Sequence, residues 1–156
     1  MLIRVIAVGT RMPAWVQQGM NEYAGRLPPE LRLEWREVRA EARGAGATPE
    51  VWMAREAQRV RDALPAGATT VALDERGADV TTRGLADRLR RWQDEARPVA
   101  LLIGGPDGLD ASLKAGAAER LRLSSLTLPH PLVRVVLAEQ LYRAWSLNAG
   151  HPYHRD

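Results

Sequence analysis

Hydrophobic and polar positions follow two rhythms along the chain, short continuous apolar runs and longer stretches with an apolar residue every third or fourth place. Leu2 to Val8, LIRVIAV, is a continuous run rich in β-branched residues, which predicts a strand covered on both faces. Gly9 and Thr10 end it. From Pro13, suited to a helix's first turn, Val16, Met20, Tyr23 and Leu27 keep helical spacing until Pro28 and Pro29 stop the pattern. LRLEWREV, residues 31–38, sets Leu31, Leu33 and Trp35 against arginines and glutamates, the pattern of a strand with one wet face near a sheet edge. Residues 39–47, with Gly44 and Gly46, read as a basic, mobile loop.

Thr48 followed by Pro49 is a helix-start signal, and Met53, Ala57, Val60 and Leu64 supply the buried stripe before Pro65 and Gly67 close the helix. TTVALD (69–74) predicts a third strand. Leu85, Leu89, Trp92 and Ala96 mark a third helix, and PVALLI (98–103) a fourth strand, fully apolar and central. After the loop GGPDGLD come a short helix over 111–118 and a strand-like RLRLSS (120–125). The last helix is predicted from Pro131 to Asn148. Strands alternating with helices argue for one α/β domain over residues 1–156, with a largely parallel sheet and no internal repeat.

In the last helix Leu132, Val133, Val136, Leu137, Leu141 and Trp145 wrap most of the circumference. Such a helix needs partners on more than one side. The sheet can supply one and a second copy of the protein another, so a homodimer is expected.

The formal charge is only +3, but of 22 basic side chains only Lys114 is a lysine. Arginine's planar fork binds phosphate in a bidentate way and stacks on bases, so this surface is compatible with nucleic acid. GC-rich codons are the compositional alternative. Cysteine is absent, which excludes disulfides and thiolate metal sites and suits a reducing cytoplasm. The first apolar run is too short for a signal or a membrane span, so no membrane association is expected.

Candidate chemistry lies in three stretches. LLIGGPDGL (101–109) follows the carboxyl end of a buried strand, where open α/β sheets bind ligands. It is neither a dinucleotide nor a triphosphate loop, since G-x-G-x-x-G and G-K-[ST] are both missing, and a ligand-free turn is equally compatible with it. LRLSSLTLPHP (121–131) ends in prolines that bar it from a central ladder; it is either a strand leading into a helix or a source of free amides for a flat ligand such as adenine. HPYHRD (151–156) holds two of three histidines, and its alternative is a frayed terminus. Glu139 and Arg143 stand one helical turn apart, as an exposed ion pair or as the lining of a cleft. No metal is expected, because His151 and His154 lack an obvious third ligand.

Taken together LLIGGPDGL, LSSLTLPHPLVRVVLAEQLYRAW and HPYHRD, with the opening AVGTRMPAWVQQGMNEYAGRLP, resemble the RlmH family, pseudouridine N3-methyltransferases of the SPOUT superfamily that act on the large ribosomal subunit. The match runs through the whole chain and is loosest over residues 39–62; Asp107 stands where the family often has glutamate. The resemblance implies a SPOUT-type sheet flanked by helices with a carboxyl-terminal trefoil knot, a rare exception to unknotted folds. It implies S-adenosylmethionine as methyl donor, held by Leu73, Gly104, Leu123, Ser124, Ser125, Leu126, Thr127 and Leu128. It also implies a homodimer, and as substrate a pseudouridine in helix 69 of 23S rRNA within the assembled ribosome. By position Tyr153, His154 and Arg155 would stack on the base, accept its imide proton and hold phosphate or a base carbonyl, with Arg143 and Glu139 in support. The competing readings are another SPOUT target in rRNA or tRNA, a non-catalytic ribosome-binding module, and a flavodoxin-like nucleotide-binding regulator.

Overall fold

A computed structural model describes residues 1–44 and 46–154. Five strands, β1 (Leu2–Val8), β2 (Arg32–Val38), β3 (Thr69–Asp79), β4 (Val99–Ile103) and β5 (Glu119–Arg122), form one sheet in the order β2-β1-β4-β3-β5. Every pairing is parallel. The helices are α1 (Ala14–Ala24), α2 (Pro49–Ala63), α3 (Thr82–Glu95), α4 (Ala111–Gly116) and α5 (His130–Ala149). The apolar run predicted to be central is β4, in the middle of the sheet and buried along its whole length. The alternating run is β2 at one edge, where among the described residues it pairs with β1 alone.

Strand side chains point to opposite faces in turn, so each strand feeds two cores. Ile3, Val5, Val71, Leu101 and Leu121 pack with Leu89 and Trp92 of α3 and with Leu137 and Leu141 of α5. On the other face Ile6, Val8, Ala72, Ala100 and Leu102 pack with Ala57 and Val60 of α2 and Leu113 of α4. α1 lies on the outside of α5, close enough that a Cβ at Gly19 would stand 3.0 Å from Val135 Cγ1. Part of the apolar excess of α5 is therefore covered within the chain, while Leu132 and Val136 stay half-buried.

Of the boundaries that differ from the expected ones, three shape the cavity described below. β3 runs five residues past Asp74, because its pairing with β5 resumes after a bulge: Leu73 and Ala78 both lie opposite Leu121. Gly77 permits this, since a Cβ there would come within 2.8 Å of the β5 backbone. β5 ends at Arg122 rather than Ser125, where its pairing with β3, its sole partner among the described residues, also ends. α5 begins one residue before Pro131, which sits in the first turn where its missing N–H costs nothing. The loop expected to be mobile is tied down over its described part: Glu41 accepts from Arg55 and Arg59, and Arg43 reaches Glu56 and Asp107.

Candidate active site

The carboxyl ends of β3 and β4 and the stretch after β5 enclose a cavity of about 770 Å³. Leu73, Gly104 and residues 123–128, the three segments singled out in the sequence, all line it. The glycine loop folds tightly on itself: the Gly108 amide donates to the Gly105 carbonyl at 2.9 Å. A Cβ on Gly104 would lie 2.4 Å from the Gly108 carbonyl carbon, so only glycine fits. Residues 124–128 lie outside the ladder. Apart from the Leu126 amide, which donates to Ser124 Oγ at 2.9 Å, they make no backbone hydrogen bond among the described residues. Their other amides and carbonyls are therefore available to a flat, polar ligand, and this fits an adenosyl group. The bulge adds Asp74, Glu75 and Arg76 to the rim, and Lys114 stands 3.8 Å from Asp74.

Below the glycine loop lies a polar network that the residue pattern did not announce. Arg134 of α5 is completely buried. Its Nη1 donates to the Glu37 carboxylate, Nη2 to the Gly9 carbonyl at 2.9 Å, and Nε to His130 Nε2 at 3.0 Å. His130 Nδ1 is 2.9 Å from the Gly104 carbonyl oxygen. Burial, then the neighbouring guanidinium, holds His130 below the ordinary histidine pKa, so the ring stays neutral. A legible signal existed: Arg134 falls inside the apolar stretch Leu132–Ala138, where a charge has to be buried with partners, and His130 stands one turn before it.

The tail forms a second cluster. Gly150, at φ 68°, ends α5 in the left-handed conformation and turns the chain back, with the His151 amide donating to the Ser146 carbonyl at 2.9 Å. Tyr153 then packs 4.5 Å from the Tyr142 ring and donates its hydroxyl to Glu139 Oε1 at 2.9 Å. Arg143 donates to the same oxygen at 2.8 Å and lies 4.9 Å from the Tyr153 ring centre. Burial, then this carboxylate, raises the phenol's pKa, while Glu139 raises that of Arg143. His154 is half-buried, and its Nδ1 has no hydrogen-bond partner among the described residues. Arg155 lies outside the described residues. The tail up to His154 is thus packed rather than frayed.

Comparison with known proteins agrees with this architecture. A family model for predicted SPOUT methyltransferases matches residues 1–154. The chain belongs to the SPOUT methyltransferase family. It is 59% identical over 155 residues to the ribosomal RNA large subunit methyltransferase H of Bordetella avium (strain 197N), covering 99% of both chains. It is also 59% identical over 156 residues to the protein of that name from Verminephrobacter eiseniae (strain EF01-2), covering 100% of both. Among solved structures, a probable methylase family protein from Haemophilus influenzae Rd KW20 superposes with a TM-score of 0.57 at 9% identity, over 99% of this chain and 70% of that one. A probable methyltransferase from Bordetella pertussis Tohama I does so with 0.53 at 21% identity, over 91% and 95%. At these identities the superpositions speak to the fold alone.

Within the SPOUT chain the expected site residues fall into two groups. The cavity gathers Leu73, Gly104 and residues 123–128 at the amino end of α5; Glu139, Arg143, Tyr153 and His154 gather along its carboxyl half, and none of these four lines the cavity. Val133, which lines the cavity, and Glu139, which holds the tail, are six positions apart on α5, about 9 Å along its axis, so in one chain the tail cluster stands outside the cavity. Among the described residues no helix is long and apolar enough to cross a membrane, and no three His, Asp or Glu side chains are grouped to hold a metal ion.

Proposed function

We propose that this chain, as one SPOUT domain over residues 1–156 with a trefoil-threaded carboxyl-terminal part, is a cytoplasmic rRNA methyltransferase. Its methyl donor is S-adenosylmethionine and its target N3 of a pseudouridine in helix 69 of 23S rRNA within the assembled ribosome. Full-length relatives named ribosomal RNA large subunit methyltransferase H support the reaction class. The observation that carries the reading is one cavity built from Leu73, the glycine loop and residues 123–128, with the backbone of 124–128 outside the sheet ladder.

When bound, the donor supplies a methyl group on a sulfonium, already a strong electrophile. The chain's own task is then alignment and proton removal. Residues 124–128 would hold the donor's adenosyl group through backbone groups, with the glycine loop as the facing wall. Tyr153 stacks on the target base, its hydroxyl anchored by Glu139, and Arg143 braces that carboxylate. His154, whose Nδ1 has no hydrogen-bond partner among the described residues, accepts the imide proton. Arg155 holds phosphate or a base carbonyl. That Glu139, Arg143, Tyr153 and His154 do not line the cavity of their own chain supports a homodimer in which the tail of one protomer completes the cavity of its partner.

The test is transfer of labelled methyl groups to ribosomes with and without pseudouridine, followed by mapping of the label. The expected result is one labelled pseudouridine in helix 69 and none on ribosomes lacking it; label elsewhere reassigns the target. In single turnover His154→Ala should slow transfer about 100-fold, the scale of general-base catalysis. Nearly full activity removes His154 from that role.

A further inference from the structure

The bonds of Arg134 run to more of the fold than charge pairing with Glu37 requires. Gly9, Glu37 and Gly104 stand at the carboxyl ends of β1, β2 and β4, three adjacent strands. One buried guanidinium reaches the first two directly and the third through His130. The chemistry of the donors settles the direction of each bond. Arginine stays protonated and has no acceptor, so Nε–H donates and His130 Nε2 accepts. The neutral ring therefore carries its proton on Nδ1, which donates to the Gly104 carbonyl.

That carbonyl opens the glycine loop, and His130 itself lines the cavity. The peptide unit is planar, so fixing the Gly104 C=O also fixes the direction of the Gly105 N–H. The loop has no slack to absorb a rotation there, because Gly104 is already packed against the Gly108 and Leu109 backbone.

We propose that Arg134 and His130 are positioning residues for the methyl donor: Arg134 selects the Nδ1–H tautomer of His130, and that N–H aims the Gly104 peptide that forms the cavity wall. This rests on the methyl-donor reading above. It differs from a purely structural staple, which would hold the strand ends together without setting ligand affinity.

Two isosteric variants of the full-length protein separate the bonds. His130→Asn keeps an amide N–H at the Nδ1 place, whereas His130→Gln keeps a polar group at the Nε2 place and loses the bond to Gly104. Titrated with S-adenosylmethionine by calorimetry, the Asn variant should bind nearly as wild type. The Gln variant should bind about tenfold more weakly, the scale of leaving one buried acceptor unsatisfied. The KM for ribosomes should not move in either. Equal affinity in the two variants, whether wild-type or weakened, overturns the proposal. Long-range nitrogen-15 NMR on the wild type reads the tautomer without any substitution: Nδ1–H supports the proposal and Nε2–H overturns it. If wild-type protein does not bind S-adenosylmethionine while His130 shows the Nδ1–H tautomer, the methyl-donor reading is what fails, and the positioning role fails with it.

Discussion

One buried guanidinium ties the amino end of α5 to two strand ends directly and to a third through His130, whereas the tail is held on the carboxyl part of α5 by ring faces and the half-buried Glu139 carboxylate. The two kinds of attachment respond differently to loss. A buried polar network depends on every member, because removing one leaves another unpaired in a low dielectric. Ring contacts are individually small and tolerate partial loss. The end that shapes the cavity is thus built for fixed geometry, and the end that carries the tail for accommodating a variable surface.

Removing residues 153–156 should have the largest effect: methylation falls by at least about 100-fold, as expected when base stacking and proton transfer are lost together. Donor affinity, measured by calorimetry, should stay at the wild-type value. Mixing the truncated chain with a chain carrying Gly104→Ala should restore part of the activity if tail and cavity come from different protomers; no recovery places both in one protomer.

Gly104→Ala itself comes next. The clash of its Cβ with the Gly108 backbone costs about 1–3 kcal/mol. The loop can relieve it only by opening, so donor affinity should drop about tenfold or more. An unchanged dissociation constant would show that the glycine loop is not the donor's wall.

Lower pH should weaken the amino end selectively. His130 stays neutral when folded, below the ordinary histidine pKa, while the unfolded ring takes up a proton near about pH 6.5. The unfolded state therefore binds more protons, and the contribution is complete above about pH 6.5 and lost as pH falls toward the folded value. Urea midpoints compared at about pH 7.5 and 5.5 should show this loss in the wild type and much less of it in His130→Gln. Equal loss in both assigns the effect to other groups.

The smallest effect belongs to Tyr153→Phe, which keeps the ring against Tyr142 and deletes only the hydroxyl bond to Glu139. A single hydrogen bond of this kind contributes about 0.5–1.5 kcal/mol, so turnover should fall a few-fold with donor affinity unmoved. A loss as large as that of the truncation would make the hydroxyl, not the ring, the essential part of the tail.

Much of the cavity end was legible because its determinants are local. Apolar runs located β1, β3 and β4, and alternation put β2 at an edge. Two prolines around His130 marked where the chain leaves the sheet. The bulge in β3 was not legible, since it depends on β5 approaching Gly77 from more than forty residues away. The Arg134 network was missed for the same reason: its partners come from β1, β2 and β4, and nothing local to α5 names them. Tyr153 entered only through the family resemblance, since its place on Glu139 depends on the turn at Gly150 that folds the tail back along α5.

Arg134 also constrains how such a chain can change over generations. A guanidinium cannot shed its proton, so losing Glu37 first leaves a full charge buried. Breaking a buried pair in this way costs about 3–5 kcal/mol, less here to the extent that water reaches the half-exposed carboxylate site. That is a large share of the roughly 5–15 kcal/mol by which a domain is stable. Replacing both partners together by apolar side chains of similar volume can be neutral. Neither residue can therefore drift alone, and a lineage leaves this arrangement only by a double change or after gaining stability elsewhere.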